Sequence, residues 1–243
     1  MKKFLIATMI LAAALIIQAA ETQVLNQYVK APPAPTTAQL EEKSVPVMVC
    51  FWFDTPAYAK TTNVYGFKTG QVVSSGLGHV YGLEASWLNS ATDIIGGLQT
   101  AGFVCMSKEL DGLQAAIPLC MNKQELNGVQ ASVVNIAENF NGFQPGAVNI
   151  AGDVYGFQLA ALSNVSKDLY GTQLGVFNLS NKLSGFQFSA VNISDGGDGC
   201  QVGVVNVCNR RGLQFGLVNY IRDGWMPFML GFNYSWKIVR HLE

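Results

Sequence analysis

Few residues in this chain are of a kind that does chemistry, and their spacing argues against a reaction centre. There are two histidines, His79 and His241. One sits among glycines at an early turn and the other three residues from the end, so neither a Ser-His-Asp arrangement nor a histidine-based metal site is supported. Acidic side chains recur at Glu138, Asp153, Asp168 and Asp195. If they line one edge, paired carboxylates could act as acid and base or take calcium. Their alternation with Lys167, Lys182, Arg210 and Arg211 reads instead as a solvated turn. The run Ser194–Gly199 has the look of a calcium turn, but it occurs once, whereas calcium-binding arrays carry that code in every coil. We therefore expect no catalytic residue, no metal and no cofactor.

The five cysteines are Cys50, Cys105, Cys120, Cys200 and Cys208. None forms a C-x-x-C pair, so zinc spacing is missing. Cys105 and Cys120 each lie eight residues after a glycine in adjacent repeats. They would stack within disulfide reach in a coiled architecture, or serve there as small buried apolar residues. Cys200, one residue after its glycine, reads as core. The Asn-x-Ser triplets at Asn164, Asn178, Asn192 and Asn233 are by-products of the repeat.

That repeat must position everything else. Leading glycines fall at 66, 82, 97, 112, 128, 142, 156, 171, 185, 199 and 212, in steps of 13 to 16 residues. So constant a period marks a repeat architecture. Two residues after the glycine stand Gln99, Gln114, Gln130, Gln144, Gln158, Gln173, Gln187, Gln201 and Gln214. Seven after it stand Asn89, Asn135, Asn149, Asn178, Asn192, Asn206 and Asn219, with Ser163 in the place of one. Positions one, three and five are mostly apolar, a period-two strand pattern, and turn-forming polar pairs follow the Asn.

Two all-β folds fit. In a β-solenoid of about eleven coils, each position stacks on its own copy about 4.8 Å away. Apolar rows then fill the interior, and Gln and Asn form amide ladders from coil to coil. In an antiparallel up-and-down β-barrel, neighbouring strands oppose different positions, and nothing explains nine Gln at one place. The solenoid is the expected fold and the barrel its alternative. The Gln row and the small residues at position four share one side of the strand, where they would form a flat polar face able to bind a regular polymer or another sheet. Pro145 removes a ladder donor in mid-strand, so a bulge or local dent is expected there.

Around the array, residues 1–20 have the layout of a signal peptide: Lys2 and Lys3, an apolar run from Phe4 to Ile17, then Ala19 and Ala20. Residues 21–44 read as a flexible linker, 45–64 as an N-terminal cap strand, 65–219 as the array and 220–243 as a C-terminal cap. Only 13% of residues are charged and the net charge is −1, which leaves no basic footprint for nucleic acid.

The GVQASVVN, GFQPGAVN, GTQLGVFN, GFQFSAVN, GCQVGVVN and GLQFGLVN units, closed by Phe232-Asn233-Tyr234-Ser235-Trp236 after Pro227, resemble a family of bacterial surface-repeat proteins first described in spirochaetes. The likeness covers residues 45–236. It implies an exported, envelope-associated protein without an assigned activity and carries over no catalytic residue. The function expected is therefore non-enzymatic: cell-envelope display, adhesion or scaffolding, with an envelope or surface polymer or protein as partner and outer-membrane association open. An outer-membrane pore or transporter is the reading tied to the barrel.

Overall fold

A computed structural model describes residues 43–51, 55–224 and 226–235. The expected signal segment, nearly all of the linker, Trp236 and His241 lie outside the described residues. The described part belongs to one compact unit, Glu42–Glu243.

Its strands are β1 (Ser44–Cys50), β2 (Asn63–Gly70), β3 (Val73–Ser86), β4 (Asn89–Ala101), β5 (Val104–Ala116), β6 (Leu119–Ala131), β7 (Val134–Leu174), β8 (Phe177–Leu183), β9 (Phe186–Gly196), β10 (Cys200–Cys208), β11 (Gly212–Ile221) and β12 (Phe228–Ser235). They form one sheet in chain order. Every pairing from β1 to β11 is parallel, and residues one repeat apart face each other: Gly97 with Gly112, Gln99 with Gln114, Asn206 with Asn219. A β-barrel of antiparallel strands is thereby excluded, and the chain is a β-solenoid with one coil per repeat. Only β12 runs antiparallel, laying Asn233 opposite Gln214 at the end of the sheet.

The glycine row explains the period. At Gly142 φ is +142°, and a Cβ there would sit 1.9 Å from the carbonyl oxygen of Gly128 in the coil before. Real side chains reach neither that approach nor that backbone region without strain. From Gly66 to Gly185 the same approach of 1.9–2.6 Å to a carbonyl oxygen recurs, so those coils close only if glycine returns at this place.

The interior overturns one expectation. Positions one and three point outward: Phe143, Phe186, Phe188 and Phe215 are all exposed, while every Gln of the ladder is at most 1% exposed. Because a strand alternates its faces, putting Gln inside forces its odd-numbered neighbours out. Cys200 follows its row and is half-buried, not core. Most of the apolar filling of the interior comes from another row, two residues before each glycine: Val64, Val80, Ile95, Leu110, Leu126, Phe140, Val154, Leu169 and Leu183. The β6–β7 pairing stops at Val129–Phe143, just before Pro145, whose carbonyl instead accepts from Asn135 Nδ2 at 2.7 Å.

Candidate functional site: the paired amide ladders

The Gln row is a continuous chain of side-chain hydrogen bonds. Gln114 Nε2 donates to Gln99 Oε1 at 2.7 Å, and the same bond recurs from Gln130 to Gln114, Gln144 to Gln130, and onward to Gln214 on Gln201. Each amide nitrogen thus points to the preceding coil. Several Nε2 atoms also meet a main-chain carbonyl across the interior, such as Gln130 to Ile136 O at 3.1 Å, which fixes their direction. Bonds of this kind between neutral groups contribute about 1 kcal/mol each, and more is lost when one buried partner is left alone.

The Asn row is a second ladder of opposite direction. Asn135 Nδ2 donates to Asn149 Oδ1, Asn149 to Asn164, Asn178 to Asn192, and Asn206 to Asn219, all near 3 Å. These amides also brace the facing strand: Asn149 Nδ2 reaches Gln144 O at 2.8 Å and Leu159 O at 3.0 Å. From Asn135 onward the two rows of amide dipoles run in opposite directions and oppose each other, where a single row would sum. Position four is small because the Asn ladder fills the space beside it. A Cβ on Gly146 would lie 2.6 Å from Asn135 Nδ2 and 2.7 Å from Asn149 Oδ1. The small residues and Gln therefore do share one side, but it is the buried side, and the expected polar binding face does not exist.

Asn164 belongs to this ladder although counting from the glycine places Ser163 there; the step from Gly156 to Gly171 holds an extra residue, and Asn164 pairs with Asn178. The reverse error affects Asn89, which pairs with Val104 in an outward row. The expected glycosylation-like triplets at Asn164, Asn178, Asn192 and Asn233 are all fully buried.

In the first coils the rows keep their places and change their chemistry. The Asn row is occupied by Ser74, Ser90, Cys105 and Cys120 before Asn135. Cys105 and Cys120 are stacked neighbours, but in the Asn row rather than the Ile row that their distance from glycine suggests. Both are free thiols, donating to Ala115 O and Ala131 O. Contact with the Cys120 thiol and burial push the Cys105 pKa far up, so it stays protonated. The Gln row begins with Lys68 and Glu84. Glu84 Oε2 accepts from Gln99 Nε2 at 2.9 Å, and Oε1 accepts from Ser74 at 2.5 Å and from Thr92 at 2.6 Å. Lys68 Nζ lies 3.3 Å from Glu84 Oε1 and donates to Thr92 Oγ1 and Ser75 O. The pair is at most 2% exposed. A carboxylate that only accepts is a natural terminus for a ladder whose every member donates backward.

The other ends are open. Asn135 Oδ1, where the Asn ladder starts, and Gln214 Oε1, where the Gln ladder stops, are buried without a hydrogen-bond partner. Asn233 closes over Gln214 and donates to Met226 O and Pro227 O.

The remaining candidates are surface features. His79 contacts Tyr81 Oη through Nδ1 at 3.2 Å and makes no catalytic grouping. In the supposed calcium turn, Asp195 pairs with Arg210 and Asp198 with Arg211, so both carboxylates are engaged by cations. Among the described residues no cluster of His, Cys, Asp and Glu could hold a metal ion. Compared with protein-family models, with curated proteins and with solved structures, the chain finds no match in any of the three.

Proposed function

We propose that the chain is an exported, non-enzymatic repeat scaffold of a bacterial cell envelope, acting in display, adhesion or scaffolding. The observation that carries this reading is where the polar groups are. The Gln and Asn side chains of the two rows are buried and spent on the internal ladders, which make a regular body, and among the described residues no group of His, Cys, Asp and Glu converges on a metal-binding site. Charge-bearing residues gather along one edge, where Lys108 pairs with Asp93, Arg210 with Asp195 and Arg211 with Asp198. The leader-like residues 1–20 and the likeness of the units to surface-repeat proteins support export. The pore reading rested on the barrel and falls with it.

Expression of the full chain in a diderm bacterium, followed by fractionation and N-terminal sequencing, tests the proposal. Recovery in the envelope with a new N-terminus near Glu21 is expected. Recovery in the cytosol with residues 1–20 retained would refute it.

A further inference from the structure

Charge is confined to one edge of the solenoid. From Val72 to Asp223 every Lys, Arg, Asp and Glu except the buried Glu84 falls between ten residues after a glycine and the residue before the next. The opposite bend, five or six residues after the glycine, is apolar and open: Phe103 57%, Ile117 71%, Leu162 60%, Val176 54%, Val204 49% and Leu217 69% exposed. Trp87, beside it, is 81% exposed. The two walls between the bends carry outward rows in which Phe, Leu, Val and Ile recur, as at Phe143, Leu159, Phe186 and Ile193, interspersed with Thr69, Thr100 and Thr172. At the seam where one wall meets the charged edge, tyrosines stack in pairs, Tyr65 on Tyr81 at 5.1 Å and Tyr155 on Tyr170 at 4.9 Å. Lys182 Nζ donates to Tyr170 Oη there at 2.8 Å.

We infer that this three-sided apolar surface is a lipid-contact surface, and that the solenoid lies along one leaflet with the charged edge in the headgroups. The inference concerns the folded array and does not depend on export. Polar groups inside and apolar groups outside, with the backbone of β2 to β11 paired on both sides, suit those coils to contact with a hydrocarbon medium. Tyrosine between an apolar and a charged zone is the pattern of a membrane interface. Size then separates lipid from a second copy. A wall of about five residues by eleven coils covers roughly 16 by 50 Å, about 800 Å². One dimer contact buries about 800 Å² per partner and would cover a single wall, leaving the other wall and the bend in water. That remainder exceeds the few hundred Å² that soluble surfaces tolerate. A fluid medium covers all three sides at once. The apolar depth of about 16 Å is half the hydrocarbon thickness of roughly 30 Å, which fits one leaflet and does not span.

The test uses the full chain with its four native tryptophans replaced by Phe and one reporter added, Val176→Trp at the apolar bend or Lys167→Trp at the charged edge. Both positions are on the surface, and circular dichroism checks that each variant keeps its β content. Each is mixed with phosphatidylcholine vesicles, with and without bromine in mid-chain. Bromine should quench Val176→Trp several-fold more than Lys167→Trp, and 1 M salt should leave the difference intact. Equal, weak quenching of both reporters would overturn the inference. That would be the result if residues 4–17 alone held the chain to the vesicle, or if copies covered one another.

Discussion

The first coils and the later ones solve the same problem with different chemistry. From Asn135 to Asn219 the interior carries two amide ladders, each residue satisfying the next. Before Asn135 the Asn row holds Ser74, Ser90, Cys105 and Cys120, and the Gln row opens with Lys68 and Glu84 ahead of Gln99. What persists across the boundary is the row, with its glycine, its inward direction and its polar or small character. What changes is how each hydrogen bond is closed. The ladder is therefore one way of filling a narrow interior, and its ends, where the two chemistries meet, are the places to perturb.

The largest effect should come from the feature both regions share. Gly142→Ala, or Gly97→Ala among the early coils, places a Cβ about 2 Å from a carbonyl oxygen at a positive φ. Either should cost more than about 4 kcal/mol, and thermal melts should show no cooperative transition for the variant. If either variant melts normally, the glycine row does not set the coil.

Next comes the charged start of the Gln ladder. Glu84→Gln leaves the Lys68 ammonium buried without its counter-ion and should cost about 3–5 kcal/mol in urea unfolding. The double variant Lys68→Gln with Glu84→Gln extends the later coils' chemistry backward, so most of that loss should return. A double variant as unstable as the single one would mean that the early coils cannot host an amide ladder.

The smallest effect sharpens the comparison from the other side. Cys120→Asn adds one rung before Asn135, whose Oδ1 has no partner. Each Asn donates to the one after it, so the new amide should satisfy that oxygen and raise stability by about 1 kcal/mol. Its neighbour at position four, Ser132, has a counterpart in Ser189 beside Asn192. A clear loss of stability would show that the Cys pair fits its coils better than the ladder does.

The period, the glycine row and coil-to-coil amide pairing are legible in the sequence because each depends only on residue identity recurring at a fixed distance. The facing of the rows is not. Phe186, Phe188 and Val202 read as core because apolar alternation ordinarily points inward, and only the burial of Gln187 and Gln201 reverses it. The true apolar row, Leu110 through Leu183, sits in front of each glycine among turn-like polar residues, where a strand pattern is hard to see. Extra residues at the bends hide register as well. Gly102 and Phe103 together occupy a bend that elsewhere takes one residue less, so Cys105 counts as position eight yet stacks in the Asn row. Confinement of charge to one edge is written in the spacing, but it gains meaning only once the opposite edge is known to be exposed.

The measurement that bears most directly on the inside-out arrangement is thiol accessibility at three consecutive residues. In a background with the native cysteines replaced by serine, Phe157→Cys, Gln158→Cys and Leu159→Cys are each treated with N-ethylmaleimide before and after unfolding in guanidinium. Fast labelling of the folded chain at 157 and 159, with 158 labelled only after unfolding, is the expected result. The reverse pattern, with 158 open and its neighbours protected, would put the apolar rows inside and contradict it.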